Sequence, residues 1–221
     1  EPSMQSRSLP VPRGRLLGGS SSINGMVYVR GQSHDYDLWA QMGNRGWSYD
    51  DVLPIFRRME HYEPGSNDFR SQGGPLRVTE CGDRNPLYDA LFAAGEEVGL
   101  PRNRDYNGAD QEGMCLTQTT ISGGKRMSVA ECYLKPARSR RNLDIATEAE
   151  AEGLVLEEKR CVGVRYRRDG RTVEARARIE VVLSSGAINS PKLLELSGIG
   201  RPDLLQAHGI DVRHALSKGL H

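Results

Sequence analysis

The segment GRLLGGSSSINGMVYVRG, residues 14–31, places paired glycines and three serines inside an otherwise apolar run. Adjacent glycines such as Gly18 and Gly19 let the backbone take positive φ angles and let a ligand approach without a Cβ in the way. Ser20, directly after them, supplies a hydroxyl and an N–H where a helix can begin, an arrangement that attracts phosphate. A tight turn capped by serines would have the same composition, and the spacing alone does not decide between the two.

A second segment of small residues, Ser184-Ser185-Gly186-Ala187, follows the apolar run 179–183, which we predict as a buried strand. In open α/β sheets ligands bind outside the carboxyl ends of the strands, so this turn would let a flat ring approach closely. A plain connection between a strand and a helix would need the same small residues. The sequence contains no G-x-G-x-x-G motif, so the fingerprint of the first βαβ unit of a dinucleotide fold is absent.

The composition excludes several classes of protein. The 221 residues are 37% hydrophobic, and 30 basic residues against 29 acidic ones leave a net charge of +1, which gives no electrostatic reason to expect nucleic acid. The cysteines lack zinc-ligand spacing, so we predict four reduced thiols and no metal site. No apolar run approaches the roughly 18 residues that span a bilayer. We expect a cytoplasmic protein without a transmembrane segment, and membrane association of a longer protein stays open.

Capping residues and apolar periodicity predict the local elements. The predicted helices cover residues 35–43, residues 49–60 after the N-cap Ser48, residues 86–98 after Asn85, residues 129–134 between Ser128 and Pro136, and residues 191–196 after Ser190. The predicted strands cover residues 75–78, 114–121, 143–146, 153–157, 161–167 and 179–183. Asp169-Gly170 predicts a hairpin turn between two strands.

Residues 14–31 resemble the first signature of the glucose-methanol-choline (GMC) oxidoreductase family, and GAINSPKLLELSGIG, residues 186–200, resembles the second. Between them, residues 46–54, 105–108 and 111–113 are similar to the choline-dehydrogenase-like branch. The resemblance covers essentially the whole chain. It implies an α/β fold, in which an FAD-binding Rossmann-like domain without its first βαβ unit is interrupted by part of an α+β substrate domain. The FAD-binding domain would comprise residues 1–74 and 125–221, and the substrate domain residues 75–124.

The resemblance also implies the cofactor and its binding residues. The residues placed against the flavin or its pyrophosphate are Leu16, Gly18, Gly19, Ser20, Asn24, Gly25, Met26 and Val27. Ala151 falls where the family uses a main-chain N–H and C=O to hold the adenine. Members that bond FAD covalently use a histidine in the first signature, but Ile23 stands at that position here, so we predict noncovalent FAD.

By the same resemblance we expect oxidation of choline or another small primary alcohol, by hydride transfer to flavin N5, with a quinone or oxygen as electron acceptor. The family's catalytic histidine and its His or Asn partner would lie beyond residue 221, so no catalytic residue is assigned and the 221-residue chain alone is expected to be inactive. We expect His34 and His61 in helical segments at the surface, His208 and His214 at a surface edge, and no assignable role for His221. A non-oxidative, lyase-type relative and a noncatalytic truncated remnant are the alternatives.

Overall fold

The computed structural model describes residues 5–83 and 85–216 of the chain. Helices and strands are mixed along the sequence, and they form two compact units, Glu1–Leu143 and Asp144–His221. The assignment of residues 1–74 and 125–221 to an FAD-binding domain and of 75–124 to a substrate domain stays a prediction. His221 lies outside the described residues.

The first unit contains three longer helices: α1 (Ser33–Gln41), α2 (Tyr49–Met59) and α3 (Pro86–Glu97). The N-cap Ser48 is confirmed, because its hydroxyl accepts the Asp51 N–H while the Asp51 carboxylate accepts the Ser48 N–H at 3.1 Å. Asn85 is confirmed as the cap of α3, where its side chain accepts the Leu87 N–H at 3.0 Å. Local capping therefore sets the start of both helices.

The helix after Ser128 does not end before Pro136, as the sequence predicts. A π-helical turn, Ala130–Leu134, runs directly into a short helix, α4 (Lys135–Ala137). Pro136 lies in the first turn of α4, where a missing N–H removes no hydrogen bond of that helix.

The strands of the first unit are short. Strands β1 (Glu60–Tyr62), β2 (Leu76–Glu80) and β3 (Gln118–Thr119) form a sheet in which β2 is central, parallel to β1 and antiparallel to β3. Strands β4 (Ile121–Ser122) and β5 (Lys125–Arg126) form a hairpin. The expected strand 114–121 is thus reduced to β3 and β4. Thr120, between them, donates its N–H to the Met26 carbonyl at 2.8 Å, and Val27 pairs with Thr119. Residues 26–28 are thereby joined to the edge of this sheet.

The second unit is built on an antiparallel meander of β6 (Glu150–Glu157), β7 (Arg160–Arg168) and β8 (Arg171–Arg176). The predicted hairpin turn is confirmed, since Asp169 and Gly170 both have positive φ angles, 50° and 73°. Helices α5 (Gly186–Leu196) and α6 (Pro202–Ala207) and the parallel pair β9 (Ile199–Gly200) and β10 (His214–Ala215) complete the unit. Val162, Leu193 and Leu205 are its buried apolar residues.

Three expectations for the second half of the chain are wrong. Residues 143–146 form no strand, because the Leu143 N–H turns back to the Arg140 carbonyl at 3.2 Å. Residues 179–183 form no strand either: within the described chain no strand pairs with them, and Ile179 and Val182 are 88% and 74% exposed. Helix α5 begins at Gly186, ahead of Ser190. The Ser190 hydroxyl accepts the Ser185 N–H at 2.9 Å from inside the helix.

Candidate functional site

The paired glycines of the first signature form a left-handed turn that leads into a 3₁₀ turn, Gly19–Ser22. Gly18 has a φ of 89° and Gly19 a φ of 53°, so the predicted need for glycine is confirmed. A Cβ at Gly18 would lie 2.5 Å from the Ser22 hydroxyl oxygen. At Gly19 no described atom lies within 4 Å of a Cβ position, and the same holds at Gly25. The main chain at these two positions is therefore open to a ligand.

The serine hydroxyls serve the turn itself. Ser21 donates to the Gly18 carbonyl and accepts the Val129 N–H at 2.9 Å, and Ser22 donates to the Leu17 carbonyl at 3.0 Å. Ser20 accepts the Gly14 N–H at 3.2 Å and stays exposed. The serine hydroxyls therefore bond to the backbone of the turn and its neighbours, as the tight-turn interpretation has it, and the binding of a phosphate there stays a prediction.

Residues 24–27, here called the 24–27 turn, have an unusual backbone. Met26 has a φ of 61°, in the left-handed region that a side chain disfavours. Its N–H donates to the Asn24 side-chain oxygen at 3.1 Å, and its carbonyl accepts from the Thr120 N–H. Strained backbone of this kind persists only where the surroundings hold it, and it is concentrated at binding sites.

Three aliphatic side chains of the first signature are exposed. Leu16, Ile23 and Val27 are 55%, 47% and 57% exposed, which is high for aliphatic side chains on one segment. A flat aromatic ring system needs apolar cover and close main-chain approach. The open space at Gly19 and Gly25 together with these side chains fits such a group.

Arg126, on β5, holds the turn from a distant part of the sequence. Its Nη1 lies 2.7 Å from the Asn24 carbonyl, 2.8 Å from the Asn24 side-chain oxygen and 3.2 Å from the Ser21 carbonyl. The sequence analysis missed this residue, because a separation of more than 100 positions leaves no local signal.

Ala151 lies in the second unit, on β6 opposite Tyr166, and is exposed. A β-bulge follows it directly, where the pairing shifts between Ala151 and Gly153. A cavity of about 380 Å³ in this unit is lined by Ala151 together with residues of α5 and its N-terminus, among them Ser185, Asn189 and Lys192. The structure therefore brings Ala151 to the second signature. The eight residues predicted from the first signature lie together in the first unit.

A buried cluster of charged and polar side chains, the Arg70 cluster, lies in the first unit and was not anticipated. Its members are Arg30, Glu60, Arg70, Asp105, Asn107 and Gln118. The Arg70 side chain has no exposed surface and forms a two-pronged ion pair with Glu60, whose oxygens lie 3.0–3.2 Å from Nε and Nη2. Its Nη1 donates to Asp105 at 2.7 Å and to Gln118 at 2.9 Å.

Electrostatics in the cluster are balanced by close pairing. Burial acts to lower the pKa of Arg70, but the hydrogen bonds and charge of Glu60 outweigh it and the pKa is raised. Arg30 Nη2 lies 2.7 Å from Glu60 Oε1, without the alignment of a hydrogen bond. The Arg70 guanidinium stacks over the Tyr62 ring at 3.6 Å. Such enclosed pairing is typical of a structural core.

Among the described residues, the histidines and cysteines form no recognisable catalytic arrangement. His34, His208 and His214 are exposed, as expected. The helical placement of His61 is wrong, because it lies in β1, where its Nδ1 accepts the Gly73 N–H at 3.0 Å. The four cysteines, Cys81, Cys115, Cys132 and Cys161, are unpaired, and burial raises the pKa of the Cys115 and Cys132 thiols. Across residues 5–83 and 85–216 no group of histidine, cysteine or acidic side chains is arranged to hold a metal, and no helix is long and apolar enough to cross a membrane.

Comparison with known proteins gives concordant matches. The family model described as GMC oxidoreductase matches residues 2–221. The chain is 47% identical to the oxygen-dependent choline dehydrogenase of Sinorhizobium medicae and 50% identical to that of Brucella melitensis. Each match extends over 213 residues, which is 96% of the chain. The chain spans only 39% and 38% of the lengths of these two relatives.

Solved structures agree. Pyridoxine 4-oxidase from Mesorbium loti matches with a TM-score of 0.85 and 35% identity, over 92% of this chain and 40% of that one. An FAD-dependent oxidoreductase from Chaetomium thermophilum matches with a TM-score of 0.88 and 29% identity, over 96% of this chain and 39% of the other. With both signatures in place and the family model matched along almost its whole length, the chain belongs to the GMC oxidoreductase family.

Proposed function

We propose that this chain forms part of the FAD-binding portion of an enzyme that oxidises a primary alcohol, with choline as the first candidate. The observation that carries the proposal is the open main chain at Gly19 and Gly25 beside the exposed side chains of Leu16 and Val27. This combination suits a flavin, and the curated relatives at 47–50% identity are named choline dehydrogenases.

Each predicted residue has a definite task in this proposal. The main-chain N–H groups of Gly18 and Ser20 and the Ser20 hydroxyl would bind the pyrophosphate. The Gly19 N–H donates to the Leu16 carbonyl at 2.9 Å, so Gly19 would contribute close approach, because it has no Cβ. Leu16, Met26 and Val27 would cover the ring and exclude water.

Other main-chain groups would complete the binding. The backbone at Asn24 and Gly25 would approach the flavin edge, and the main chain at Ala151 would hold the adenine. Bound FAD would supply the acceptor for a hydride from the alcohol carbon.

We further propose that the FAD is held without a covalent bond. Ile23 occupies the position from which related enzymes form that bond, and an aliphatic side chain has no atom that could make it. After precipitation of the FAD-loaded protein with acid, the yellow flavin is expected in the supernatant. Flavin that remains with the precipitated polypeptide would contradict this part of the proposal.

Oxygen is the first electron acceptor to test, because the curated relatives are named oxygen-dependent, and a quinone is the second. Neither acceptor is distinguished by a residue described above. Oxygen consumption with choline, compared with reduction of a quinone analogue under nitrogen, separates the two. We also keep the prediction that these 221 residues alone do not turn over substrate.

The test of the function is an anaerobic visible absorption spectrum, before and after choline is added, of the longer enzyme to which this chain is proposed to belong, purified with FAD. Bleaching of the flavin band is expected, and tetramethylammonium, which carries the charge but no hydroxyl, should leave the band unchanged. A band that persists with choline would mean that FAD is bound but the substrate or the reaction class is wrong, as for a lyase-type relative. The absence of any bound flavin would favour a noncatalytic remnant.

A further inference from the structure

The Arg126 guanidinium donates through Nη1 to uncharged oxygens. Its Nη1 lies within 3.2 Å of the carbonyls of Ser21 and Asn24 and of the Asn24 side-chain oxygen. Among the salt bridges of the described residues, none includes Arg126. Hydrogen bonds from a charged donor are about twice as strong as neutral ones. The Arg126 charge therefore strengthens the hydrogen bonds that hold the 24–27 turn.

The Asn24 side chain links Arg126 to the strained residue. One oxygen, Oδ1, accepts both from Arg126 Nη1 and from the Met26 N–H. Arg126 thereby orients the group that holds the Met26 N–H in place. A left-handed conformation is strained for a residue with a side chain, so the Met26 backbone needs such support.

A second support reaches the same residue from the other side. The Met26 carbonyl accepts the Thr120 N–H at 2.8 Å and the Thr120 hydroxyl at 3.3 Å. The N–H and the carbonyl of Met26 are thus both fixed, the first through Asn24 and Arg126, and the second through Thr120. This arrangement specifies the peptide orientation on both sides of Met26.

We infer that Arg126 is a positioning residue of the cofactor site, which holds the 24–27 turn in the left-handed conformation that presents its main chain to the flavin. The inference rests on the proposed function for the identity of the ligand. Arg126 would act through Asn24 and Met26 and would not itself contact the cofactor.

The first experiment compares FAD binding by three variants, using the decrease of FAD fluorescence as apoprotein is added. Arg126→Ala is expected to raise the dissociation constant about ten- to a hundred-fold, which corresponds to the loss of charge-assisted hydrogen bonds. Arg126→Lys should lie between this variant and the unsubstituted protein, because its ammonium keeps the charge and the donors but ends one bond short of the position of Nη1. Lys125→Ala, at an exposed neighbour in the same hairpin, is the matched control and should change the constant less than twofold.

A small-molecule rescue separates positioning from a general loss of structure. Guanidinium ion at a non-denaturing concentration should restore part of the FAD affinity of Arg126→Ala and leave Lys125→Ala unchanged. The inference is overturned if Arg126→Ala binds FAD as tightly as the control, or if neither guanidinium nor the lysine variant recovers any affinity.

Amide hydrogen exchange of the protein without FAD tests the turn independently of any ligand. Exchange at the Met26 amide should be about tenfold faster in Arg126→Ala than in Lys125→Ala, because the Asn24 acceptor is released. Unchanged exchange would overturn the inference. If the unsubstituted protein does not bind FAD, the proposed function fails, while faster exchange in Arg126→Ala would still support the ordering of the turn by Arg126.

Discussion

The Arg70 cluster and the 24–27 turn lie in the same unit, and they differ in how far their polar groups are enclosed and paired. In the cluster, the Glu60 carboxylate accepts hydrogen bonds from Nε and Nη2 of Arg70 and from the Ser71 N–H, the last at 2.9 Å. The Glu60 side chain has no exposed surface. At the turn, Asn24 and Thr120 fix the N–H and the carbonyl of Met26, while Gly25 has open space where a Cβ would project.

The difference separates a structural cluster from the proposed binding site. Charged side chains are the usual candidates for functional groups, but those of the Arg70 cluster are mainly paired with one another. The turn has hardly any charge of its own, and its proposed capacity to bind lies in uncovered main chain and exposed apolar side chains. The extent of pairing, rather than the chemical type of the residue, distinguishes the two, although Arg30 Nη2 and Asp105 Oδ2 in the cluster have no hydrogen-bond partner among the described residues.

The largest expected effect comes from breaking the cluster. Glu60→Ala would leave Arg70 and Arg30 buried without their shared counter-charge, so we expect a loss of about 3–5 kcal/mol in the free energy of unfolding, measured with urea. Glu131→Ala, which removes an exposed pair with Lys135, is the control and should cost about 0.5 kcal/mol or less. Similar losses in both variants would show that the cluster is not the structural core described.

A pair of glycine substitutions sharpens the comparison. Gly74→Ala should reduce the free energy of unfolding by about 1–3 kcal/mol, because the new Cβ would lie 2.4 Å from the Glu60 carbonyl oxygen. Gly25→Ala meets no described atom within 4 Å, so stability should change by less than about 0.5 kcal/mol while FAD binding weakens. Chemical unfolding and FAD titration of both variants check this. Unchanged FAD affinity in Gly25→Ala would remove Gly25 from the proposed site.

The smallest effect appears only at alkaline pH. Burial raises the pKa of Tyr62, and the hydrogen bond with Glu80 raises it further. Burial also raises the pKa of Tyr28. In the unfolded chain tyrosine loses its proton near pH 10, whereas the folded protein retains it, so stability is full below about pH 10 and falls as the pH rises further.

Unfolding midpoints between pH 8 and pH 11 measure this loss. The unfolding midpoint of Tyr62→Phe should fall less steeply above pH 10 than that of the unsubstituted protein. At pH 8 the free energy of unfolding of the variant should be about 1 kcal/mol lower, because the hydrogen bond to Glu80 at 2.8 Å is gone. Parallel curves for the two proteins would show that Tyr62 does not carry the alkaline sensitivity.

Features with a local cause could be predicted from the sequence. Ser48 and Asn85 cap helices through bonds to N–H groups two or three residues ahead, and Asp169-Gly170 turns a hairpin by its own backbone preference. The positive φ angles at Gly18 and Gly19 follow from the same kind of signal.

Features that depend on distant partners could not be predicted. Glu60, Arg70 and Gln118 meet from separate segments, and nothing near any of them in the sequence indicates burial. The apolar run 179–183 has the composition of a strand, but a strand forms only where another one pairs with it. The predicted contacts of the first-signature residues and Ala151 with FAD stay predictions, because they depend on the cofactor itself.

The support of the 24–27 turn by Arg126 and Thr120 bears on the order in which the protein assembles. Ser21 and Val129 are 108 positions apart, and Met26 and Thr120 are 94 positions apart. Closing loops of this length is slow compared with forming a hairpin, so the turn is shaped only after the β4–β5 hairpin docks. During synthesis the first signature therefore leaves the ribosome about a hundred residues before its supports do, and it remains without its final form until they follow. The earlier segment is completed only by the later one, and the proposed FAD binding would come after both.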